Sequence, residues 1–566
     1  MKLFGNSAVR KLRMPIGCSD FEEIRRNNFY YVDKSGLLDE LYNYFEKVVL
    51  ITRPRRFGKT LTMSMLESFF NIEKDSAELF QDLKVSRNQE LCSAWMNQYP
   101  VIFLTLKEIE GSDFEEAFEN LKTYLAEAFL SYQYLLECER IPELYKNVIR
   151  HILDLSANIT EVQKSLKFLI NALEIYYRKK VILLLDEYDV PITKAADHGY
   201  YDRMLYVMKG LMQVLKDNNN LALSVITGCL RITKESIFTG TNNFLVNTIA
   251  SPSLSEYFGF TEEEVKRLLE DARAAEQFPK VKEWYDGYLF GSREIYCPWD
   301  VINYVSEFLQ SGNTEPICYW VNVSENSIIR SFIHKFGDEI IDDFELLVEG
   351  GCVRKRIRED LTYDILENSS ANFWSVLYLS GYLTKVIEEG NATNMTSLKI
   401  PNREVLQIYN DIIREWFETN IKTVDRSELF AAAWEGKEEV LADKITDILL
   451  VTISFNDYRE DFYHAFLAGI FTGAGYTVES NREHGEGRSD IIVKDNRKRQ
   501  VLIFEAKHSV SEKAMETDCE KALKQINSRK YMADYTGLYK KVACYGIAFW
   551  KKRCRVKRGT PTERFL

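Results

Sequence analysis

Two carboxylates and a lysine near the C-terminus have the residue types and the spacing needed for metal-assisted hydrolysis of a phosphodiester. Glu505 and Lys507, in LIFEAKH, are two residues apart in a run that predicts a β-strand, so their side chains share one face. Asp490, in GRSDIIV, begins the preceding predicted strand and can meet them across a hairpin. Two carboxylates can ligate Mg²⁺ or Mn²⁺, and Lys507 can orient the water that attacks phosphorus.

Further polar and charged residues surround this group. Glu460 lies on a predicted helix before it and is a candidate for a further metal contact, and Gln525 lies on the helix after it, where it can touch a phosphate. Residues 481–566 carry ten more basic than acidic side chains, whereas residues 1–480 carry 22 more acidic than basic ones. This asymmetry favours a polyanion as the partner of the C-terminal region. The simpler interpretations are a salt bridge on a strand for the acidic residues and the lysine, and a solubilising tail for the basic C-terminal residues.

A second group of residues, in KVVLITRPRRFGKTLTMSML, has the order strand, loop, helix that a phosphate-binding loop requires. Gly58, Lys59 and Thr60 match the last three places of the pattern Gly-x-x-x-x-Gly-Lys-[Ser/Thr]. In such a loop the lysine reaches the β- and γ-phosphates, and the hydroxyl group ligates Mg²⁺.

The loop departs from the pattern at its first glycine place, which holds Arg53. A residue with a Cβ is less free than glycine to adopt a positive φ. We therefore expect a different entry path into the loop, with Arg55 or Arg56 adding positive charge beside the phosphates. The alternative is a degenerate loop.

Acidic residues that fit such a loop follow in VILLLDEYDVPI, at the end of an apolar run. Asp186 fits the residue that coordinates Mg²⁺, and Glu187 fits the residue that activates the attacking water. A third apolar run, LALSVITG, ends at Thr227, a sensor-like position, and Arg231 follows. These residues predict an ATP site and leave open whether ATP is hydrolysed.

The elements that would position these residues differ along the chain. Residues 1–250 alternate apolar runs with amphipathic segments, which predicts a parallel α/β sheet. Residues 251–450 are acidic and predicted to be mainly helical, with a capping-box pattern at Thr261 and Glu264. Residues 451–566 predict a mixed α/β unit. The strands predicted in the first segment are Lys47–Thr52, Val101–Leu106, Val181–Leu185 and Leu221–Thr227.

Composition narrows the class of protein further. The net charge of −12 argues against indiscriminate binding of nucleic acid by the whole chain. The ten cysteines include no Cys-x-x-Cys pair and predict free thiols in a reducing compartment. The N-terminal segment lacks an apolar signal-peptide core, and every apolar run is far shorter than a membrane span of about 20 residues. We expect a cytoplasmic protein without a membrane segment.

Several longer stretches resemble known families. MPIGCSDFEEIRRNNFYYVDKSGLL, ITRPRRFGKTLTMSML, LLLDEYDVPI and TGCLRITKESIFTGTNNF resemble bacterial AAA-ATPase-like proteins, and YFGFTEEEV and WYDGYLF…IYCPWDVINY match the same family. EDFYHAFLAGIFTGAGYTVESNREHGEGRSDIIV…FEAKH resembles the PD-(D/E)XK superfamily domain that is usually fused to it. The resemblance covers nearly the whole chain.

The resemblance implies roles for individual residues. Arg-Pro-Arg-Arg-Phe-Gly-Lys-Thr is normal for that family, so Arg53 is a family trait, and Ser489 stands at the proline place of the nuclease motif, a frequent departure that leaves the carboxylates intact. The nucleotide and Mg²⁺ residues carried over are Lys59, Thr60 and Asp186. The nuclease residues carried over are Asp490, Glu505 and Lys507 as the core, with Glu460 and Gln525 as accessory residues.

These observations predict an α/β protein. Its expected parts are a P-loop NTPase parallel-sheet domain (residues 1–250), a helical lid (251–345), a mainly helical connecting region (346–450) and a restriction-endonuclease-like α/β domain (451–566). The predicted function is an ATP-regulated, Mg²⁺-dependent endonuclease acting on DNA more than RNA, in defence, mobile-element or repair biology. The alternatives are a signalling NTPase whose C-terminal module binds nucleic acid without cleaving it, and a scaffold in which both sites are vestigial. Homo-oligomerisation stays open.

Overall fold

Two structural units share the chain, and each is built from two stretches of sequence. One unit comprises Met1–Val323 and Cys352–Gln407, and the other comprises Ser324–Gly351 and Ile408–Leu566. The domain boundaries expected from the sequence stay a prediction. The computed structural model describes residues 12–44, 46–216, 218–230, 244–320, 340, 343–344, 346–359, 370–387, 395–412, 427–452, 460–472, 474–480, 491–528, 535, 538–551 and 553–559.

The first unit contains a parallel five-stranded sheet with the order β2-β3-β4-β1-β5. The four predicted strands are confirmed with ends that differ by one residue, and β5 is an addition to them. Because the strands are parallel, the carboxyl ends of β1, β3 and β4 lie at one edge, where α/β sheets bind ligands. The strands are β1 (Val48–Thr52), β2 (Val101–Thr105), β3 (Val181–Asp186), β4 (Leu221–Gly228) and β5 (Phe244–Asn247).

Helices cover both faces of this sheet. Val48 and Leu50 of β1 pack into one apolar core, and Val49 and Ile51 pack into the opposite core. Burial of both faces explains why these strands are continuous apolar runs. The helices are α1 (Phe21–Arg26), α2 (Gly36–Asn43), α3 (Lys59–Phe70), α4 (Gln89–Trp95), α5 (Phe114–Leu130), α6 (Glu143–Leu153), α7 (Ile159–Tyr177), α8 (Val190–Asp197) and α9 (Tyr201–Met212).

Beyond this sheet, the described residues of the first unit form helices and short strands. The predicted capping box is confirmed, because Thr261 Oγ1 accepts the N–H of Glu264 and the Glu264 carboxylate accepts the N–H of Thr261. The prediction of a mainly helical region misses a hairpin and a three-stranded antiparallel sheet, β8-β10-β9. The elements are α10 (Glu262–Asp271), α11 (Phe278–Tyr285), β6 (Tyr288–Phe290), β7 (Arg293–Ile295), α12 (Pro298–Ser311), β8 (Val353–Lys355), α13 (Ser370–Leu379), β9 (Thr384–Lys385) and β10 (Thr396–Lys399).

The second unit contains a mixed sheet with the order β11-β12-β13-β14-β15, in which β13 and β14 are parallel and the other neighbours are antiparallel. The basic run KKRCRVKR, at residues 551–558, largely forms the edge strand β15. The elements are α14 (Ser427–Glu435), α15 (Glu438–Thr452), α16 (Glu460–Thr472), β11 (Thr477–Ser480), β12 (Ile491–Asp495), β13 (Gln500–His508), α17 (Met515–Ser528), β14 (Lys541–Trp550) and β15 (Arg553–Arg558).

The predicted fold class is confirmed. A parallel sheet flanked by helices, a largely helical middle and a C-terminal mixed sheet follow one another along the chain. Over the ranges that the structure describes, no helix combines the length and the apolar character needed to cross a membrane.

Candidate nucleotide-binding and nuclease sites

The phosphate-binding loop runs from the end of β1 to the start of α3. Gly58 caps the helix with a φ of 80°, a left-handed conformation that glycine adopts without a Cβ clash. Lys59 Nζ donates to the carbonyl oxygens of Arg53, at 3.2 Å, and Pro54, at 3.1 Å. It also lies 3.3 Å from Glu187 Oε1. The predicted phosphate-binding lysine and the predicted catalytic glutamate are therefore in direct contact.

Asp186 ends β3 and accepts hydroxyl hydrogen bonds from two elements. Thr60 Oγ1, in the first turn of α3, donates to its Oδ2 at 2.7 Å, and Thr227 Oγ1, near the end of β4, donates to its Oδ1. Asp186 is fully buried, and this burial raises its pKa. The hydroxyl and carboxylate oxygens form a donor set of the kind that Mg²⁺ prefers.

Arg53, at the first glycine place of the loop, has a fully buried side chain. Its guanidinium donates to the Thr52 carbonyl and to the main-chain and side-chain oxygens of Asn247 in β5. The charge also lies over the rings of Phe258 and Phe290, and burial lowers the pKa of Arg53 to about 9. The changed entry path expected for the loop therefore takes a particular form, because Arg53 anchors the loop to the neighbouring strand.

The other predicted arginines have different surroundings. Arg55 lies beside the thiol of Cys229. Arg56 donates from Nη1 to the Tyr319 carbonyl at 2.9 Å. Arg231 lies outside the described residues.

Two residues of this site were not found by sequence reasoning. Asp189 is buried, and its Oδ2 accepts the N–H groups of Cys229 and Leu230 at 2.9 Å each. Cys229 Sγ lies 3.5 Å from Lys59 Nζ, and burial raises the pKa of this thiol to about 12. An acidic residue three positions after Asp186 is a usable signal, whereas a cysteine after a strand has no pattern that marks it.

A cavity of about 280 Å³ adjoins the loop. Loop residues Arg56–Thr62 line one part of it together with Glu187. The N-terminal stretches Pro15–Ser19 and Tyr30–Val32 line another part, as does Trp299 from α12. Phosphate-binding groups and aromatic walls beside one cavity match the two chemical halves of a nucleotide.

In the second unit, Glu505 and Lys507 project from the same face of β13, as predicted. Glu505 is fully buried, and Lys507 Nζ lies 2.8 Å from its Oε1. A buried carboxylate requires such a partner, because an isolated charge in a protein interior is costly. Ile503, on the same face, packs with Ile526 of α17, the helix that also carries Gln525.

Other predicted nuclease residues are described only in part. Asp490 lies outside the described residues. Ile491, which follows it in sequence and begins β12, pairs with Phe504, which precedes Glu505. Glu460 begins α16, and its side chain is outside the part of the chain that the structure describes. This helix packs on the face of β13 that carries Phe504.

The positive charge of β15 is partly neutralised within the second unit. Its basic side chains on one face pair with carboxylates of α17 and of the turn before it. These pairs reduce the contribution of β15 to the positive charge of residues 481–566, from which a polyanionic partner was predicted. The pairs are Arg553 with Glu512, Arg555 with Glu516 at 2.7 Å, and Lys557 with Glu520 at 2.9 Å.

Two family models match the chain in the order that the sequence predicts. The model described as predicted AAA-ATPase matches residues 15–238. The model of the PD-(D/E)XK nuclease superfamily matches residues 458–559. The chain therefore joins an AAA-ATPase-like domain to a PD-(D/E)XK nuclease superfamily domain.

A similar protein extends over nearly the same length. It comes from Azotobacter chroococcum mcd 1 and bears the name "Uncharacterized protein in vnfD 5'region". The two chains are 22% identical over 566 residues, which cover 96% of this chain and 97% of the relative. The likeness therefore includes both domains and the region between them.

Proposed function

We propose that this protein binds ATP and that the bound nucleotide regulates a Mg²⁺-dependent endonuclease acting on DNA. The observation that carries the proposal is that Lys59 and Thr60 line one cavity, with Asp186 hydrogen-bonded to Thr60, in a chain that also has a PD-(D/E)XK domain. The paired Glu505 and Lys507 support the nuclease part.

The nucleotide part of the proposal gives each residue a role. Lys59 and the N–H groups at the start of α3 bind phosphate oxygens. Thr60 and Asp186 would hold Mg²⁺, which neutralises phosphate charge when it is bound. Thr227 fixes the Asp186 carboxylate through its hydroxyl hydrogen bond. Glu187 orients the attacking water once a phosphate has replaced it as a partner of Lys59.

The nuclease part assigns complementary roles. Asp490 and Glu505 would hold Mg²⁺, which stabilises the charge that develops on the phosphate oxygens. Lys507 orients the attacking water and assists its deprotonation. Glu460 and Gln525 act as accessory contacts to the metal shell and to a phosphate.

We place this activity in the cytoplasm, in defence, mobile-element or repair biology. All ten cysteines are free thiols, as is usual for a protein of a reducing compartment. The charge excess of residues 481–566 favours DNA as the partner, through basic residues other than those paired in β15.

Isothermal titration of the full chain with ATP and Mg²⁺ tests the nucleotide part. We expect saturable binding by the wild type and a loss of at least about tenfold in affinity for Lys59→Ala, which removes a charged phosphate contact. Lys194→Ala, which removes a surface ion pair with Glu110, is the matched control and leaves the affinity unchanged. Absence of binding by the wild type would contradict the proposal.

Incubation with supercoiled plasmid and single-stranded DNA, in Mg²⁺ or Mn²⁺, tests the nuclease part. We expect metal-dependent cleavage that Glu505→Ala abolishes. Glu512→Ala, which removes an exposed partner of Arg553, is the control and retains cleavage. DNA binding without cleavage by the wild type would instead favour a nucleic-acid-binding module.

A further inference from the structure

Arg56, in the phosphate-binding loop, has a left-handed backbone conformation with a φ of 69°. Residues with a Cβ are strained in this region, because the Cβ approaches the following carbonyl oxygen. Arg56 also lines the nucleotide cavity. The shape of the loop at this point therefore depends on what holds Arg56 in place.

Three lid residues hold its guanidinium, and we call them the arginine clamp: Trp299, Tyr319 and Trp320. Arg56 Cζ lies 5.0 Å from the ring centroid of Trp299 and 5.9 Å from that of Trp320. Arg56 Nη1 donates to the Tyr319 carbonyl at 2.9 Å. Two cation–π contacts and a charge-assisted hydrogen bond together offset the backbone strain.

A pair of buried carboxyl groups anchors the clamp. Trp320 Nε1 donates to Asp300 Oδ1 at 3.1 Å, and the N–H groups of Tyr319 and Trp320 donate to Glu404 Oε1 at 2.5 and 3.2 Å. Asp300 and Glu404 are both fully buried, and the two carboxyl groups interact with each other. Burial raises the pKa of Glu404, and the neighbouring Asp300 carboxyl group raises it further.

The anchored clamp lies next to both places where the chain leaves the first unit. Trp320 is four residues before Ser324, where the chain enters the second unit. Glu404 is four residues before Ile408, where the chain enters it again. The hydrogen bonds from Tyr319 and Trp320 to Glu404 therefore tie together the two segments that precede these crossings.

We propose that Arg56 is a positioning residue that couples the phosphate-binding loop to the arginine clamp, and through the clamp to both chain crossings. The inference rests on the proposed ATP binding and adds the route by which nucleotide occupancy is communicated. The clamp holds Arg56 in the conformation that shapes the loop, and a bound triphosphate in turn stabilises the clamp. Coupling between two binding events is reciprocal, so each half can be measured from the other.

The first experiment compares the ATP affinities of Arg56→Gly and Arg56→Ala in the full chain. Both variants lose the guanidinium, but glycine adopts a left-handed φ freely and alanine does not. We expect Arg56→Gly to bind ATP about tenfold more tightly than Arg56→Ala, the factor that left-handed strain implies. Equal affinities would overturn the proposal, because the arginine would then act only through its charge.

A double-mutant cycle distinguishes coupling between Arg56 and the arginine clamp from a general loss of structure around the clamp. We expect Trp320→Leu to weaken ATP binding about tenfold in the wild-type background and less than about twofold in Arg56→Gly. Trp320→Phe, a smaller change at the same position, serves as the second variant if Trp320→Leu does not fold. Equal losses in both backgrounds would overturn the coupling.

Hydrogen exchange of the full chain provides the reciprocal readout. We expect saturating ATP to slow exchange at the amides of Tyr319 and Trp320 in the wild type, and to have no such effect in Arg56→Gly. Equal slowing in the two proteins would overturn the route through Arg56. A wild type that binds no ATP would refute the proposed function itself, whereas ATP binding with unchanged clamp amides would refute the coupling alone.

Discussion

The contact between Glu187 and Lys59 predicts how a single substitution changes ATP affinity. The two charged atoms are 3.3 Å apart, and the side chains are 15% and 3% exposed. Coulomb attraction at that distance is about 5 kcal/mol for an effective dielectric constant of about 20, and desolvation of both groups offsets most of it. A charge-assisted hydrogen bond in such surroundings nets about 1.5–3 kcal/mol.

A phosphate that binds Lys59 must compete with this carboxylate. Glu187→Gln keeps the volume and a weaker neutral hydrogen bond but removes the competing charge. We expect it to bind ATP more tightly by about 1–2 kcal/mol, which is about five- to thirtyfold in the dissociation constant. Titration with a fluorescent ATP analogue measures the change, and any ATP turnover falls because the water-orienting carboxylate is lost.

Glu110→Gln is the matched control, because Glu110 pairs with Lys194 on the surface, with side chains that are 57% and 34% exposed. Exposed pairs contribute little, so we expect no change in ATP affinity. Glu187→Gln with wild-type or weaker affinity, in a protein of unchanged melting temperature, would refute competition between Glu187 and phosphate for Lys59.

Further predictions concern the buried carboxyl pair and two glycines. At about pH 4, where Glu404 is mostly protonated in both the folded and the unfolded protein, Glu404→Gln keeps one acceptor and one donor and changes the free energy of unfolding by less than about 1 kcal/mol. Glu404→Ala costs about 2–4 kcal/mol at the same pH because it leaves buried polar groups without partners, and equal losses for the two variants would argue against the buried carboxyl pair. Because the pKa of Glu404 is raised from 4.5 to about 10, its contribution to stability is fully present below about pH 4.5 and is lost as pH rises towards 10. Denaturant titrations at several pH values should show that Glu404→Gln removes this decline in the free energy of unfolding. Gly546→Ala places a Cβ 2.3 Å from the Cys519 carbonyl oxygen and should lower the free energy of unfolding by about 1–3 kcal/mol. Gly469→Ala, on α16 with no neighbour within 4 Å, should raise it by about 0.5–1 kcal/mol. Denaturant unfolding that gives changes of the same sign for both variants would contradict these packing arguments.

The sequence predicts those parts of the molecule that depend on residues close together in the chain. Lys59 and Thr60 follow an apolar strand at the spacing of a phosphate-binding loop, and Asp186 ends another such strand. Parallel strands bring such ends to one edge, so local patterns suffice to predict that Thr60 and Asp186 meet. The shared face of Glu505 and Lys507 likewise follows from the two-residue period of a strand.

Side-chain directions that depend on distant residues could not be predicted. The sequence places Arg53 and Arg56 in the same loop, yet Arg53 is buried against Asn247 and Arg56 contacts residues more than 240 positions away. The position of Cys229 beside Lys59 likewise depends on hydrogen bonds from its loop to a buried aspartate. Such contacts arise from tertiary packing, which leaves no periodic pattern in the sequence.

The charge that the C-terminal region offers to a partner likewise could not be predicted from the sequence. Counting basic residues in 481–566 treats Arg555 and Lys557 as available to a polyanion. In the structure they pair with Glu516 and Glu520, which lie one helical turn apart on α17. A charge count cannot reveal this pairing, because the partners come from elements separated by more than thirty residues.

The initial rate of plasmid cleavage by the full chain, in Mg²⁺ with and without ATP, tests the regulated nuclease most directly. We predict that ATP changes the rate for the wild type and has no effect on Lys59→Ala, and that Glu505→Ala cleaves under neither condition. Cleavage by Glu505→Ala would contradict the assignment of the nuclease site. An ATP effect that persists in Lys59→Ala would contradict regulation through the phosphate-binding loop.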